Sequence, residues 1–235
     1  PMSGDIKGVV LAGGLGKRLG PLTKITNKHL LPIYDRPMIY HPISRLAEAG
    51  IKDILIVTGG QHAGEFLRLL GNGHAFGLTH LNYTYQEGEG GIAEALGLAK
   101  HFAQGKRMVV VLGDNIFEKS LKPYVDRFRR QKAGARVLLK RVPDPERFGV
   151  ATVKGNKIVS ITEKPRKPLS DLAVTGVYMY DEEAFSIIRT LKPSRRGELE
   201  ITDVNNAYLD RGALEFDVLS GWWTDSGTFD SLLRA

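Results

Sequence analysis

The chain has 235 residues, enough for one large domain or two small ones, and its 42% hydrophobic and 25% charged content is that of an ordinary soluble globular protein. It has no cysteine, which excludes disulfides and thiolate metal sites and fits a cytoplasmic location. The net charge of +7 is spread out; its densest clusters, at 127–130 and 164–167, are short and lack an aromatic ladder or zinc spacing, so a small anionic substrate accounts for it better than nucleic acid.

The first apolar run, residues 7–11, reads as a strand. It breaks into Ala12-Gly13-Gly14-Leu15-Gly16 and then turns basic at Lys17, Arg18, Lys24 and Lys28. Glycines let backbone amides approach phosphate oxygens, and Arg and Lys neutralise their charge, so this stretch suits a polyphosphate. The plainer alternative is a glycine-rich turn with solvated cations. Two common phosphate motifs are excluded. The dinucleotide fingerprint needs glycine where Leu19 stands; the P-loop needs glycine at Leu11 and Ser or Thr at Arg18.

Residues 38–49 place Ile39, Ile43, Leu46 and Ala47 on one face and stop at Gly50, predicting a helix with Pro42 near its first turn. The apolar run 53–58 predicts a buried parallel strand. A helix at 63–70, a strand at 81–86, a helix at 91–102, a buried strand at 107–112 and a helix at 121–131 follow. The second half is richer in strands, at 135–142, 149–153, 157–162 and 174–180, with Gly155-Asn156 as a hairpin turn signal. Helices at 182–190 and 198–211, a strand at 214–219 and a short final helix complete the chain. This alternation predicts an α/β fold with a largely parallel sheet. No linker or repeat divides it. The expectation is one domain, with a nucleotide-binding half over about 1–130 and a half over about 131–235 that adds a substrate site. No apolar run approaches the roughly 20 residues of a membrane span. Pro1-Met2-Ser3-Gly4-Asp5 is polar and short, and the expectation is that it is not a secretory signal.

Ligands of parallel α/β sheets sit at the carboxyl ends of the strands. Asp114 follows the strand at 107–112 and is expected on the same rim as the glycine loop. There it reads as a magnesium ligand, since magnesium takes one or two carboxylates plus phosphate oxygens; a helix or turn cap is the alternative. Asp225, after Trp222-Trp223, is a second acid with the same two readings. Glu163-Lys164 offers an acceptor beside a donor, or plain surface charge. Residues 196–200, Arg-Gly-Glu-Leu-Glu, read as a helix opening whose amides and Arg196 can take a phosphate. The six histidines show no metal-binding spacing, and no G-x-S-x-G elbow supports covalent catalysis.

Taken together, Lys7-Gly8-Val9-Val10-Leu11-Ala12-Gly13-Gly14-x-Gly16-x-Arg18-Leu19-x-Pro21-Leu22-Thr23 and Asn27-Lys28-x-Leu30-Leu31-Pro32 resemble the signature of sugar-1-phosphate nucleotidylyltransferases. Leu112-Gly113-Asp114-Asn115-Ile116-Phe117, Asp144-Pro145-Glu146-Arg147-Phe148-Gly149-Val150, Glu163-Lys164-Pro165, Ala173-Val174-Thr175-Gly176 and the run from Arg196 to Asp203 resemble the thymidylyltransferase branch of that family.

The resemblance implies a Rossmann-like three-layer α/β/α fold with a mixed, mostly parallel central sheet, and a homo-oligomer. It implies magnesium-dependent condensation of dTTP with glucose 1-phosphate to dTDP-glucose and pyrophosphate, as a first step of dTDP-rhamnose or related deoxysugar synthesis. The alternative is UTP or another sugar 1-phosphate in the same reaction class. By position it implies that Leu11, Gly13, Gly14, Gly16, Arg18, Gln86, Gly91 and Asp114 bind the nucleotide. Asn115, Gly149, Glu163, Lys164, Val174 and Arg196 would bind the sugar phosphate. Asp114 and Asp225 would hold magnesium, and Arg18, Lys28, Lys164 and Asp114 would carry the catalysis. Three features depart from the pattern: Lys17 where Thr or Ser is usual, His29 where Gln is common, and an acidic, glycine-rich run at 86–91. The chain also stops ten residues after Asp225, short of C-terminal helices that help shape a regulatory nucleotide site in longer members.

Overall fold

A computed structural model describes residues 6–235. The polar segment 1–5, read above as free of a secretory signal, lies outside the described residues.

Strand β1 (Lys7–Ala12) is buried along its whole length. Val9 and Leu11 project into one apolar cluster and Val10 and Ala12 into the other, because successive strand side chains point to opposite faces. Both faces must therefore be covered by helices. A small hairpin, β2 (Pro32–Ile33) and β3 (Arg36–Pro37), precedes α1 (Tyr40–Glu48). The chain continues through β4 (Asp53–Gly59), α2 (Ala63–Leu70), β5 (His80–Gln86), α3 (Ile92–Gly97), α4 (Lys100–Ala103), β6 (Met108–Leu112), β7 (Asn115–Phe117) and α5 (Lys122–Arg130). The second half adds β8 (Ala135–Arg141), β9 (Gly149–Lys154), β10 (Lys157–Glu163), β11 (Leu172–Tyr180), α6 (Glu183–Thr190), α7 (Ile201–Asp210), β12 (Leu214–Val218), β13 (Trp223–Asp225) and α8 (Phe229–Arg234).

The main sheet has nine strands in the order β10-β9-β11-β6-β1-β4-β5, with β8 beside β11 and β12 beside β8. β5, β4, β1 and β6 pair in parallel, and so do β8 and β12. Only β11 and β10 run against the rest, so the sheet is mixed and mostly parallel. Ile39, Ile43 and Leu46 of the α1 region, with Val125 and Phe128 of α5, cover one face. Leu96, Phe185, Ile188 and Val204, from α3, α6 and α7, cover the other. This is the three-layer α/β/α arrangement.

Two expectations need correction, and one short strand was not foreseen. The helix over 91–102 is two pieces, α3 ending at Gly97 and α4 beginning at Lys100. The helix over 198–211 begins only at Ile201. Leu199 donates its amide to the Gly90 carbonyl (2.8 Å) and accepts from the Ala93 amide (3.1 Å), which holds residues 198–200 extended against the loop before α3. Residues 196–199 therefore precede the helix, whose N-cap is Glu200, and offer no row of helical amides to a phosphate. Finally, 223–225 is a strand, paired antiparallel with β7. At three residues it is too short to leave a periodic pattern.

Candidate active site

The glycine loop leaves the C-terminal end of β1. A Cβ on Gly13 would lie 2.6 Å from Gln86 Oε1, so glycine is what lets the loop meet the end of β5. Gly16 sits at φ +64°, and a Cβ there would come within 2.9 Å of the Lys28 and Thr23 side chains. It borders neither cavity described below; it shapes the turn that carries Lys28.

From that turn Lys28 reaches 86 residues along the chain, placing Nζ 2.6 Å from Asp114 Oδ2. The two side chains are only 12% and 16% exposed. Asn115 donates Nδ2 to the other Asp114 oxygen (2.9 Å). Burial alone would raise the Asp114 carboxyl, but the Lys28 charge and these hydrogen bonds outweigh it and hold the acid well below the usual carboxylate range.

Asp225 lies opposite Asn115 in the β13–β7 ribbon, and the Ser226 amide donates to the Asp114 carbonyl (2.7 Å). The two acids are thus brought near one another. Asp225 accepts from Arg147 Nη2 through both oxygens (2.9 and 3.0 Å). Burial pushes its carboxyl upward; Arg147 pulls against this, Asp114 adds to it, and the net shift is up. Both carboxylates accept from side chains alone, so neither is a cap.

Two cavities open on this rim. The first is bordered by Leu11, Gly13, Gly14, Lys28, Gln86 and Gly91 and reaches Asp114. Gln86 donates Nε2 to the Gly91 carbonyl (3.3 Å) and Glu94 (3.1 Å), leaving Oε1 toward Gly13. The second cavity is bordered by Arg18, Asn115, Gly149 and Glu163, by Lys164, Val174 and Arg196, and by both acids. Ile92, Leu112, Asp114 and Glu198 belong to both cavities, so Asp114 stands where they meet. Arg18, expected at the nucleotide, borders the second cavity rather than the first. It nevertheless lies at the junction, since both it and Asp225 crowd Gly227.

Within the second cavity, Glu163 accepts from the Thr202 hydroxyl. Lys164 holds a positive φ of 40°, anchored by its amide donating to the Phe148 carbonyl (2.9 Å). A strained non-glycine backbone of this kind persists where the surrounding structure fixes a side chain for use. Arg196 is bound by Glu200 (2.9 Å to either oxygen) and Glu198 (3.1 Å).

Sequence reasoning missed several neighbours. His29 borders the first cavity, 2% exposed, its Nδ1 2.7 Å from Asn27 Oδ1. Burial, aided by Lys28, lowers its pKa to about 3. Arg147, Glu198, Glu200, Thr202 and Trp223 border the second cavity. Except for Trp223 they lie inside motifs already noted, so the signal was position rather than residue type. Lys17, which departs from the family pattern, is exposed and pairs with Glu89 of the 86–91 run.

Among the described residues no group of three or more His, Cys, Asp or Glu surrounds a metal position, and no helix is long and apolar enough to cross a membrane. Two adjacent carboxylates with no soft ligand suit magnesium, which keeps waters and takes substrate phosphates. Lys28 borders the first cavity, and Arg18, Lys164 and Arg196 border the second, which meets it at Asp114.

The family described as nucleotidyl transferase matches residues 7–235. A glucose-1-phosphate thymidylyltransferase of Neisseria meningitidis is 46% identical over 234 residues, covering 98% of this chain and 81% of the relative. Another, of Xanthomonas campestris pv. campestris, is 47% identical over 233 residues, covering 97% and 79%. A Bacillus anthracis protein assigned as a glucose-1-phosphate thymidylyltransferase, crystallised with sucrose, superposes with TM-score 0.93 at 55% identity, over 97% of this chain and 93% of its own. A UDP-glucose pyrophosphorylase bound to UDP-glucose shares the fold, with TM-score 0.85 at 23% identity, over 97% and 96%. With the family match running from the first strand through the last helix, the chain belongs to the nucleotidyl transferase family.

Proposed function

We propose that the chain condenses dTTP with α-D-glucose 1-phosphate to give dTDP-glucose and pyrophosphate. The observation that carries this reading is Asp114, placed where a glycine-lined cavity meets a second, mixed-charge cavity, with Asp225 beside it. The similarity to glucose-1-phosphate thymidylyltransferases, over nearly the whole of this chain, supports the choice of substrates.

In this reading the first cavity takes the nucleotide. Gly13 and Gly14 admit the triphosphate close to the backbone, Leu11 borders the nucleoside, and Gln86 and Gly91 meet the thymine. Lys28 and Arg18 receive the β- and γ-phosphates, with Gly16 shaping the turn behind Lys28. The second cavity takes the sugar phosphate. Glu163 accepts from sugar hydroxyls, Asn115, Gly149 and Val174 complete the pocket, and Lys164 and Arg196 meet the phosphate. The first half of the chain thus serves chiefly the nucleotide and the second half the sugar.

The sugar phosphate is already ionised at neutral pH, so no general base is required. Its oxygen forms a bond to the α-phosphorus of dTTP as the bond to the β-phosphate oxygen breaks, and the electron pair leaves on pyrophosphate. Repulsion between two anions is the barrier, and alignment with fixed cations lowers it. Arg18 and Lys28 stabilise the departing charge, and Lys164 steers the incoming phosphate. A magnesium ion held by Asp114 and Asp225 would neutralise charge on the α-phosphate. The family resemblance also leads us to read the chain as a homo-oligomer, which light scattering tests.

A grid of nucleoside triphosphates against sugar 1-phosphates, read as pyrophosphate release, tests the reading. dTTP with glucose 1-phosphate should be the best pair. A missing methyl is worth only about 1–3 kcal/mol in such pockets, so UTP should be a partial substrate. No release with any pair contradicts the proposal.

A further inference from the structure

Every oxygen of the two acids read as metal ligands is already engaged by a protein donor. Asp114 is held by Lys28 on one oxygen and by Asn115 on the other. Asp225 is held through both oxygens by the single nitrogen Nη2 of Arg147. Arg147 is itself anchored, because its Nη1 donates to Asp144 (2.8 Å). The guanidinium also lies over the Phe148 ring, 5.0 Å from its centroid, and Phe148 packs against Trp223 of the strand that carries Asp225. Arg147 is therefore fixed from several sides, and its position coincides with the oxygens a divalent cation would use.

Arg147 also borders the second cavity, where the sugar phosphate is read to bind. A divalent cation arriving alone would meet Lys28 and Arg147 already on the carboxylates, with Arg18 nearby. One arriving with a triphosphate brings anions that can draw those cations away.

We propose that Arg147 is a positioning residue that holds Asp225 while the site is empty and gives up the carboxylate to a divalent cation when nucleotide binds. The inference rests on the reading of Asp114 and Asp225 as the metal-binding acids. It makes metal binding conditional on nucleotide, since the exchange needs phosphate charge. It also gives Arg147 a second position within the same cavity, beside the sugar phosphate, once Asp225 is released. Asp144 keeps the guanidinium within reach of either position.

The test is a titration with Mn2+ as a paramagnetic probe, protein-bound Mn2+ being read by the enhancement of water-proton relaxation against a protein-free Mn2+–dTTP control, with and without dTTP and with no sugar phosphate present. Wild-type protein should bind Mn2+ weakly alone and strongly with dTTP. Arg147→Gln should bind Mn2+ about tenfold more tightly than wild type in the absence of dTTP, because a unit charge has been removed from beside the carboxylate, and the gap should close once dTTP is added. Arg147→Lys, which retains the charge, should stay near wild type. Asp144→Asn, which loosens the guanidinium without touching Asp225, should fall between them and keeps the test usable if Arg147→Gln folds poorly. If Arg147→Gln and Asp144→Asn bind Mn2+ no more tightly than wild type without dTTP, Arg147 does not compete for Asp225 and the exchange is wrong. If no protein binds Mn2+ even with dTTP, the metal reading of the two acids falls, and the exchange with it.

Discussion

Lys28 Nζ lies 2.6 Å from Asp114 Oδ2, joining the turn after the glycine loop to the end of β6 inside a largely buried pocket. The pair assembles the site before any ligand arrives. It also means that neither charge can be removed alone without leaving the other desolvated.

Lys28→Met should therefore damage both stability and activity. Removing one partner of a mostly buried ion pair costs roughly 3 kcal/mol, and losing the cation proposed to receive the departing phosphates should lower kcat by at least about a hundredfold. Urea unfolding and steady-state kinetics check the two effects. The double variant Lys28→Met/Asp114→Asn should recover part of the stability and none of the activity, because the stranded charge is gone but the site is not restored. The pH dependence has a definite sign. Asp114 is held below the usual carboxylate range, so its contribution is full above about pH 4 and is lost as the pH falls through the folded value.

His29 acts in the same direction for a different reason. Its folded pKa is about 3, against 6.5 for the free group, so the unfolded chain binds a proton that the folded one refuses. Stability should rise with pH between those two values, with a slope near 1 kcal/mol per pH unit from this residue. His29→Asn should flatten unfolding free energies measured across that window. An unchanged slope would show that His29 is not buried as a neutral ring.

Gly91 holds φ +101°, and a Cβ there would lie 2.5 Å from the Leu199 carbonyl oxygen. Gly91→Ala should destabilise the fold by about 2 kcal/mol through backbone strain. It should also raise KM for dTTP, because the loop after β5 would shift and with it Gln86, which is proposed to meet the thymine. Thermal melting and nucleotide titration report the two effects separately.

Thr202 donates its hydroxyl to one oxygen of Glu163 in the second cavity. Thr202→Val keeps the shape and removes that donor. KM for glucose 1-phosphate should rise roughly tenfold, the worth of one hydrogen bond to a charged group, while KM for dTTP stays near its original value. Thr202→Ser should restore most of the loss.

The strand ends that bear the site were legible because buried parallel strands leave continuous apolar runs, as at Val109, Val110 and Val111, and because glycines and acids follow them at once. Asp114 stood out because it follows the buried run of β6, whereas Asp225 ends no such run and was paired with Asp114 chiefly by the family resemblance. What brings them together, the β13–β7 ribbon, left no periodic signal in three residues. The late start of α7 was hidden for a related reason: Leu199 is drawn out of the helix by backbone bonds to Gly90 and Ala93, more than a hundred residues away. Arg147 and Thr202 lie inside recognised motifs, but their roles could not be assigned there because they depend on partners distant in sequence, Asp225 and Glu163. Local chemistry identifies the loop and the acids; tertiary pairing decides which charges face which.

The most direct measurement follows labelled α-phosphorus from dTTP in the presence of magnesium and glucose 1-phosphate. The label should pass into dTDP-glucose, one equivalent for each pyrophosphate released, only when glucose 1-phosphate is present, and Asp225→Asn should abolish most of the transfer while remaining folded. Label that stays in dTTP, or that is released without the sugar phosphate, would contradict nucleotidyl transfer at this site.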